Sequence, residues 1–356
     1  MRKIKSNKLQ LINKVLKWHF NYYILRKASP LVCSFYVTNY CNLRCKMCNL
    51  WRNKDKKMIK LDDFKTIIDD LSRNCCYYLS FAGGEPLLAK DIVKMIRYAK
   101  EKIPYVHIVT NGLLITGKKA KELAGTGVDE ISLSIDGLAS MHDKIRGMKG
   151  SFERTIEAIN NLKKYAPKID IVINTTIGSF NINELDGVVK LAEDLGVKQQ
   201  FQPINEHPLF DRQLSKASMK KLDEGEIKKI ENFIKKILKK THVVNSKYFL
   251  AHIPDYFKGN LNKGLFNEKC KLQYYFCEIR ENNELYPCLM AFNWKNGFQL
   301  NNNLKGTFYS KEYKRKQKEL KDCRLCQKSM YVCYLEPRVA FPIVNYIKYD
   351  LLYKIK

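Results

Sequence analysis

From residue 32 to residue 203 the chain switches repeatedly between short apolar runs and longer stretches whose apolar residues return every three or four positions. The short runs predict strands at 32–38, 77–82, 105–110, 131–135, 169–175 and 198–203. The longer stretches predict helices near 61–73, 89–102, 118–126, 152–165 and 181–196, with Asp62, Lys118 and Asn181 near their starts and Asn181 as a cap. Strands and helices alternating over short connections predict a parallel α/β sheet or barrel. Ahead of it, Leu9, Ile12, Leu16, Phe20 and Tyr23 recur at helical spacing among lysines, and Pro30 closes that segment. Beyond it, the polar stretch 203–218 breaks the alternation and a strongly charged helix is expected at about 220–240. From 265 the texture changes to short strands, Asn-rich turns and six cysteines. The predicted organisation is an amphipathic N-terminal helix at 1–30, an α/β core at 31–218, a helical linker at 219–264, a small α+β domain at 265–337 and an amphipathic tail at 338–356.

A chain of 356 residues, 45% hydrophobic, can bury a sizeable core. No run of about 18 apolar residues predicts a membrane-spanning helix. Lys14, Lys17, His19 and Asn21 interrupt the region where a signal peptide would need an apolar run, so none is expected. The net charge of +28 comes from dispersed lysines in a chain rich in Lys, Asn, Ile and Tyr, and it is read first as compositional. Nothing resembles a zinc finger, an RNA-recognition motif or a basic zipper, so nucleic acid is not expected as a partner. A peripheral membrane contact is the sharper alternative. Basic faces carrying Trp18, Tyr22 and Tyr23 at one end, and Tyr346, Tyr349 and Tyr353 at the other, fit an interfacial pattern. The blander expectation is that such helices cap a barrel.

Twelve cysteines in tight groups, without a secretion signal, predict metal or cluster ligation in a reducing cytoplasm. Cys33, Cys75 and Cys76 fall in or beside predicted strands and are read as core residues. Cys41, Cys45 and Cys48 lie in the loop after the first predicted strand. Three thiolates suit an iron–sulfur cluster that keeps one iron open, while zinc would need a fourth ligand. In α/β barrels, chemistry sits at the carboxyl ends of strands.

The spacing Cys41-x3-Cys45-x2-Cys48 resembles the signature of the radical S-adenosylmethionine (SAM) superfamily. Three further motifs agree in order: Gly83-Gly84-Glu85-Pro86, Thr110-Asn111-Gly112, and Ser134-Ile135-Asp136-Gly137 followed by His142, Asp143 and Arg146. The resemblance spans about residues 32–205 and implies a partial (β/α)6 TIM-like barrel followed by a cluster-binding α+β domain. It implies a [4Fe-4S] cluster on Cys41, Cys45 and Cys48, with SAM chelating the open iron. Gly83 and Gly84 would let backbone approach the ligand, Glu85 would accept from the methionine ammonium, Ser134 and Arg146 would hold its carboxylate, and Asp136 would lie near the ribose or support its loop. Met47 departs from the family, which usually has an aromatic residue beside adenine at that position. Gln202 and Pro203 are candidates for lining the same pocket. The implied reaction is reductive cleavage of SAM to a 5′-deoxyadenosyl radical that abstracts hydrogen from substrate. A ferredoxin or flavodoxin would be the electron donor.

Cys270, Cys277 and Cys288 precede the Asn-rich turns, and Cys323, Cys326 and Cys333 follow them. Zinc is a rival reading of the Cys323-x2-Cys326 pair. Residues 278–288 resemble SPASM and twitch auxiliary-cluster domains, which implies one auxiliary [4Fe-4S] cluster on Cys270, Cys288, Cys323 and Cys326. Cys277 and Cys333 would be alternates or ligands of an incomplete second cluster. The expected substrate is a peptide or protein, modified by oxidation, crosslinking or epimerisation. The alternatives are a lipid or small polar metabolite at a membrane surface, or a non-catalytic iron–sulfur or zinc protein that binds nucleic acid. Glu206 and His207 are further acid–base candidates.

Overall fold

The alternation along 32–203 becomes one continuous sheet. A computed structural model describes residues 2–25, 27, 29–205, 222–292, 296–301, 303–341 and 343–351. After helix α1 (Arg2–Tyr23) come six parallel strands: β1 (Val32–Thr38), β2 (Tyr78–Gly83), β3 (Tyr105–Thr110), β4 (Glu130–Ser134), β5 (Asp170–Ile177) and β6 (Lys198–Pro203). They pair in sequence order, each with the next. Helices α2 (Leu61–Arg73), α3 (Ile92–Lys102) and α4 (Gly117–Ala124) fill the first three crossovers. Helices α5 (Ala139–Arg146) and α6 (Ser151–Tyr165) share the fourth, and α7 (Leu185–Leu195) fills the fifth. This is the parallel α/β architecture that the pattern predicts, arranged as the partial barrel that the resemblance implies.

The two faces of the sheet differ, as period-two alternation requires. Cys33, Phe35, Val37, Leu79, Phe81, Ile131 and Leu133 point to the helices and form the main core with Phe64, Ile68, Ile96 and Leu162. The opposite face is polar. There His107 sits between the hydroxyls of Ser80 and Ser132, each 2.9 Å from a ring nitrogen. A parallel sheet packed on both faces is normally apolar on both, so this concave face is built for polar company.

The cysteine-rich region does not begin as a separate sheet. Strand β7 (Phe276–Ile279) joins the outer edge of β1 in parallel, with Val32 opposite Phe276 and Cys33 opposite Cys277. Strands β8 (Glu284–Tyr286) and β9 (Phe298–Gln299) continue antiparallel, giving a nine-stranded sheet. Asn283, in the turn between β7 and β8, takes the left-handed conformation (φ 61°) that Asn tolerates. The expected charged helix is Glu224–Ile237, started by a capping box between Asp223 and Glu226. Glu206 and His207 lie outside the described residues.

One capping expectation fails. The Asn181 side chain caps no helix; it donates to the carbonyls of Asp136 (2.6 Å) and Thr176 (2.8 Å) and accepts from Gly178 N (3.0 Å). It thereby ties the end of β5 to the loop after β4.

The ends of β1 and β2 meet backbone to backbone. Gly84 N donates to Thr38 O (2.8 Å) and Glu85 N to Tyr40 O (2.6 Å). A Cβ on Gly83, at φ +129°, would stand 2.2 Å from Thr38 O, and one on Gly84 1.9 Å from Tyr40 O. Only glycine fits at either position without moving the chain that leads into Cys41. Gly84→Ala is therefore expected to lower stability by about 3 kcal/mol, the upper end for forced overpacking, in a urea melt. At Gly83 the positive φ adds backbone strain to the clash, and Ala at Gly150 (φ +76°), where an added Cβ meets nothing within 4 Å, is the control for that strain alone.

Candidate active site

The loop after β1 carries the first cysteine group and is clamped at both ends. At its start it rests on Gly83 and Gly84. At its middle, Lys46 N donates to Ile145 O (2.9 Å) at the end of α5. Gly147, the left-handed cap of α5 (φ +71°), lies so close that a Cβ would stand 2.4 Å from Arg44 O. Asn111, at the end of β3, donates from its amide to Asn42 Oδ1 (2.7 Å). Two neighbouring strand ends and one helix end thus hold residues 38–46.

The thiols are desolvated. Cys45 is buried, and Cys41 and Cys48 are half-buried. Burial pushes the Cys41 thiol up to about 11 and the Cys48 thiol up to about 12, with neighbouring Cys45 and Cys41 raising Cys48 further. Met47 is buried with Leu43, Cys45 and Ile145, and the ring nitrogen of Trp51 donates to Cys45 O (3.2 Å).

Glu85 does not stand open to a ligand. Its carboxylate is 1% exposed. Oε1 accepts from Leu87 N (3.0 Å) and Thr110 Oγ1 (2.8 Å), and Oε2 from Asn111 N (2.8 Å). The expected acceptor of an ammonium is instead a brace between the ends of β2 and β3. Burial raises its carboxyl, against the lowering effect of these three donors. The close approach permitted by Gly83 and Gly84 is likewise to the chain's own backbone.

Arg146, at the end of α5, is the cation at the site. Its Nη2 pairs with Asp136 Oδ2 (2.6 Å), and its Nη1 lies 3.9 Å from Cys45 Sγ. Asp136 is fully buried and also accepts from Thr176 N (2.9 Å). His142 Nδ1 accepts from Asp136 N (3.3 Å). Burial, with Arg146 beside it, pushes the imidazole down to about 4, so it is neutral at pH 7. Asp143 caps α6 instead, accepting from Gly150 N, Ser151 Oγ (2.8 Å) and Phe152 N (2.9 Å). Several buried polar atoms here have no hydrogen-bond partner: Arg146 Nε, Asn174 Oδ1, Asn49 Oδ1 beside Cys48, and Asp136 Oδ2, which has only its ion pair with Arg146. Asn174 lies opposite Ser134 in the β4–β5 register. An open donor on a buried guanidinium beside a thiol is a place for an anion.

The second cysteine group divides. Cys270, Cys288, Cys323 and Cys326 line one small pocket with Leu272, Met290 and Tyr334. Cys277 does not join them. It lies on β7 facing the helix side, fully buried beside Cys33, because strand alternation turns it away from its neighbour Glu278. The expectation that Cys277 is a ligand is corrected accordingly. Cys333 is close enough to Glu278 and Cys326 to feel their charge, but does not line the pocket.

Two residues were not marked by the sequence. Arg338 is buried beside Cys270 and Cys326 and donates to Leu265 O (2.6 Å). Burial pushes Cys270 up to about 11, with Arg338 pulling the other way. The basic tail assignment hid this residue, since its spacing gave no sign that it points inward. Glu278 is fully buried on β7 and accepts from Tyr334 (2.8 Å) and Tyr36 (3.4 Å); alternation with buried Cys277 is the signal that it faces the concave side. Cys33, Cys75 and Cys76 are buried, as expected of core residues. Among the described residues, no three His, Cys, Asp or Glu side chains are gathered closely enough to hold a single metal ion.

Residues 35–192 match the model of the Radical SAM superfamily. An AdoMet-dependent heme synthase from Methanosarcina barkeri is 34% identical over 171 residues, 47% of this chain and 48% of that protein. Mycofactocin maturase MftC from Mycolicibacterium smegmatis is 32% identical over 170 residues, 47% of this chain and 43% of that protein. The chain thus matches about half the length of these relatives. The solved structure of SuiB from Streptococcus suis bound to S-adenosylmethionine superposes with a TM-score of 0.66 at 18% identity, covering 90% of this chain and 77% of that one. That likeness is one of fold.

With Cys41 and Cys48 protonated at neutral pH, their alkylation by iodoacetamide in cluster-free protein should be slow at pH 7.5. It should rise about ten-fold per pH unit towards pH 9.5, since the thiolate is the nucleophile. Peptide mapping by mass spectrometry measures this, and a flat profile would contradict the raised values.

Proposed function

We propose that the chain, whose residues 35–192 match the model of the Radical SAM superfamily, is a radical SAM enzyme that abstracts hydrogen from a peptide or protein substrate. The observation that carries the reading is the unpartnered Nε of Arg146, buried next to Cys45 on a loop locked by glycine contacts. The residues fit the group. Cys41, Cys45 and Cys48 would hold three irons of a [4Fe-4S] cluster, leaving one for the amino-acid end of SAM. Arg146 Nε and Ser134 would take its carboxylate, and Asp136 holds the guanidinium in place. When bound, the reduced cluster and SAM supply a 5′-deoxyadenosyl radical. The protein's own part is to fix the loop, to keep His142 neutral beside Asp136, and to present the polar concave face to the substrate.

The pocket lined by Cys270, Cys288, Cys323 and Cys326 fits an auxiliary [4Fe-4S] cluster. A buried arginine is costly without an anion, and four thiolates around iron and sulfide provide one next to Arg338. The relatives divide: the maturase favours a peptide or protein substrate, the heme synthase a small molecule. The exposed face of α1 described below favours a second reading, a lipid or small molecule met at a membrane surface.

Anaerobic reconstitution should give about eight irons per chain, falling to about four when Cys41, Cys45 and Cys48 are all Ala, if both clusters have four irons. With dithionite and SAM, only the wild type should release 5′-deoxyadenosine. Intact SAM with zinc as the bound metal would overturn the proposal. Arg338→Met should shift the potential of the second cluster down, on the order of tens of millivolts, because a nearby cation favours the more negative reduced state. An EPR-monitored redox titration reads this, and an unchanged potential would remove Arg338 from the site.

A further inference from the structure

Helix α1 is anchored along one side only. The Trp18 ring nitrogen donates to Ser29 O (2.9 Å) and Tyr274 O (3.2 Å), its ring stacks on Tyr22 at 4.9 Å, and Lys14 reaches Cys76 O (2.7 Å). The other side is apolar and bare: Ile12 is 52% exposed, Leu16 62%, Phe20 55% and Tyr23 43%, with Ile24 and Leu25 exposed beyond them. Positions 12, 16, 20 and 23 form one ridge. At the other end of the chain, Val344, Tyr346 and Ile347 are exposed too. Their segment is tied to the same aromatic group, because Phe341 packs on Tyr275 (5.8 Å), which also meets the edge of Trp18 (5.8 Å). Among the described residues, nine of the thirteen exposed large hydrophobic side chains belong to these two segments. Chance scatter of surface apolar residues does not produce that concentration.

Charge selects the occupant. The first 54 residues contain twelve Lys and Arg and no Asp or Glu, Asp55 being the first acidic residue. Eight of those cations lie in residues 1–28. A second copy of this face would be repelled by the same charge. No described helix is long and apolar enough to cross a membrane. A helix with an apolar ridge, interfacial aromatics and only positive charge lies in the plane of an anionic surface. We propose that α1, with the exposed residues of the C-terminal segment, docks the protein on the surface of an anionic lipid bilayer. The proposal is independent of the reaction assigned above.

The test is flotation of the full chain with vesicles of phosphatidylcholine and phosphatidylglycerol (about 3:1) or of phosphatidylcholine alone, at low and high salt. Binding to the anionic vesicles is expected, weakened at least ten-fold by high salt and by L16E/F20E. Each of Lys17→Glu and Lys27→Glu should cost about five-fold or more, while Val244→Glu, at an exposed apolar site elsewhere, should leave binding unchanged. Circular dichroism and iron content check that each variant folds. Equal binding to neutral vesicles without salt dependence would overturn the proposal, as would no binding to either. A concentration-dependent dimer in light scattering, abolished by L16E/F20E and without vesicle binding, would also overturn it by making a second copy the occupant.

Discussion

The site depends on one steric constraint, the meeting of two strand ends at backbone distance. Because Gly83 and Gly84 lack side chains, the turn after β2 can hydrogen-bond directly to residues 38 and 40. That contact sets where the cysteine loop leaves the sheet. It also turns Glu85 inward, where its carboxylate gathers Thr110 and Asn111, and Asn111 in turn reaches Asn42 in the same loop. The loop brings Leu43 and Met47 to the apolar core, but these alone do not set its path. It is fixed here by backbone and amide groups of the neighbouring strands, which resist displacement because each would lose a buried partner.

The two cysteine groups repeat an electrostatic theme. Each sets desolvated thiols beside one buried guanidinium, Arg146 in the first and Arg338 in the second. Desolvation holds the thiols towards the neutral form, and the guanidinium pulls them towards the anion. Such an arrangement favours a bound group that turns the thiols into thiolates and so gives the guanidinium an anion. Arg146 is shared with Asp136, whereas Arg338 donates to a neutral carbonyl. The second group therefore leans more heavily on thiolate charge than the first.

The strands were legible to within two residues because each is a short apolar run and each crossover has helical periodicity. The cysteine loop after β1 was legible because the spacing of its three cysteines is local. What escaped reading depends on three-dimensional partners. Glu85 looked like a ligand-facing acid, yet the donors that turn it inward lie twenty-five residues on. Asn181 looked like a cap, but Asp136 O and Thr176 O compete for its amide and win. Cys277 shared a spacing pattern with true pocket residues, and only its pairing opposite Cys33 shows that it faces the core. Arg338 sat in a tail whose basic composition masked its burial. In each case at least one deciding neighbour is remote in sequence, so no local pattern encodes the outcome.

The pairing of β7 with β1 also shapes how the chain reaches its fold. One edge of β1 is covered by β2 soon after synthesis, but the other waits for residues 276–279. At about 5–20 residues per second on a ribosome, that edge stays open for roughly ten seconds or longer. Throughout that time the emerging barrel presents unsatisfied peptide groups flanked by Cys33 and Phe35, a template for mispairing with another nascent chain. The long loop closure also makes this a slow contact to form by diffusion. Completion of the sheet is thus a late assembly checkpoint, passed only when the segment that carries the second cysteine group has been made.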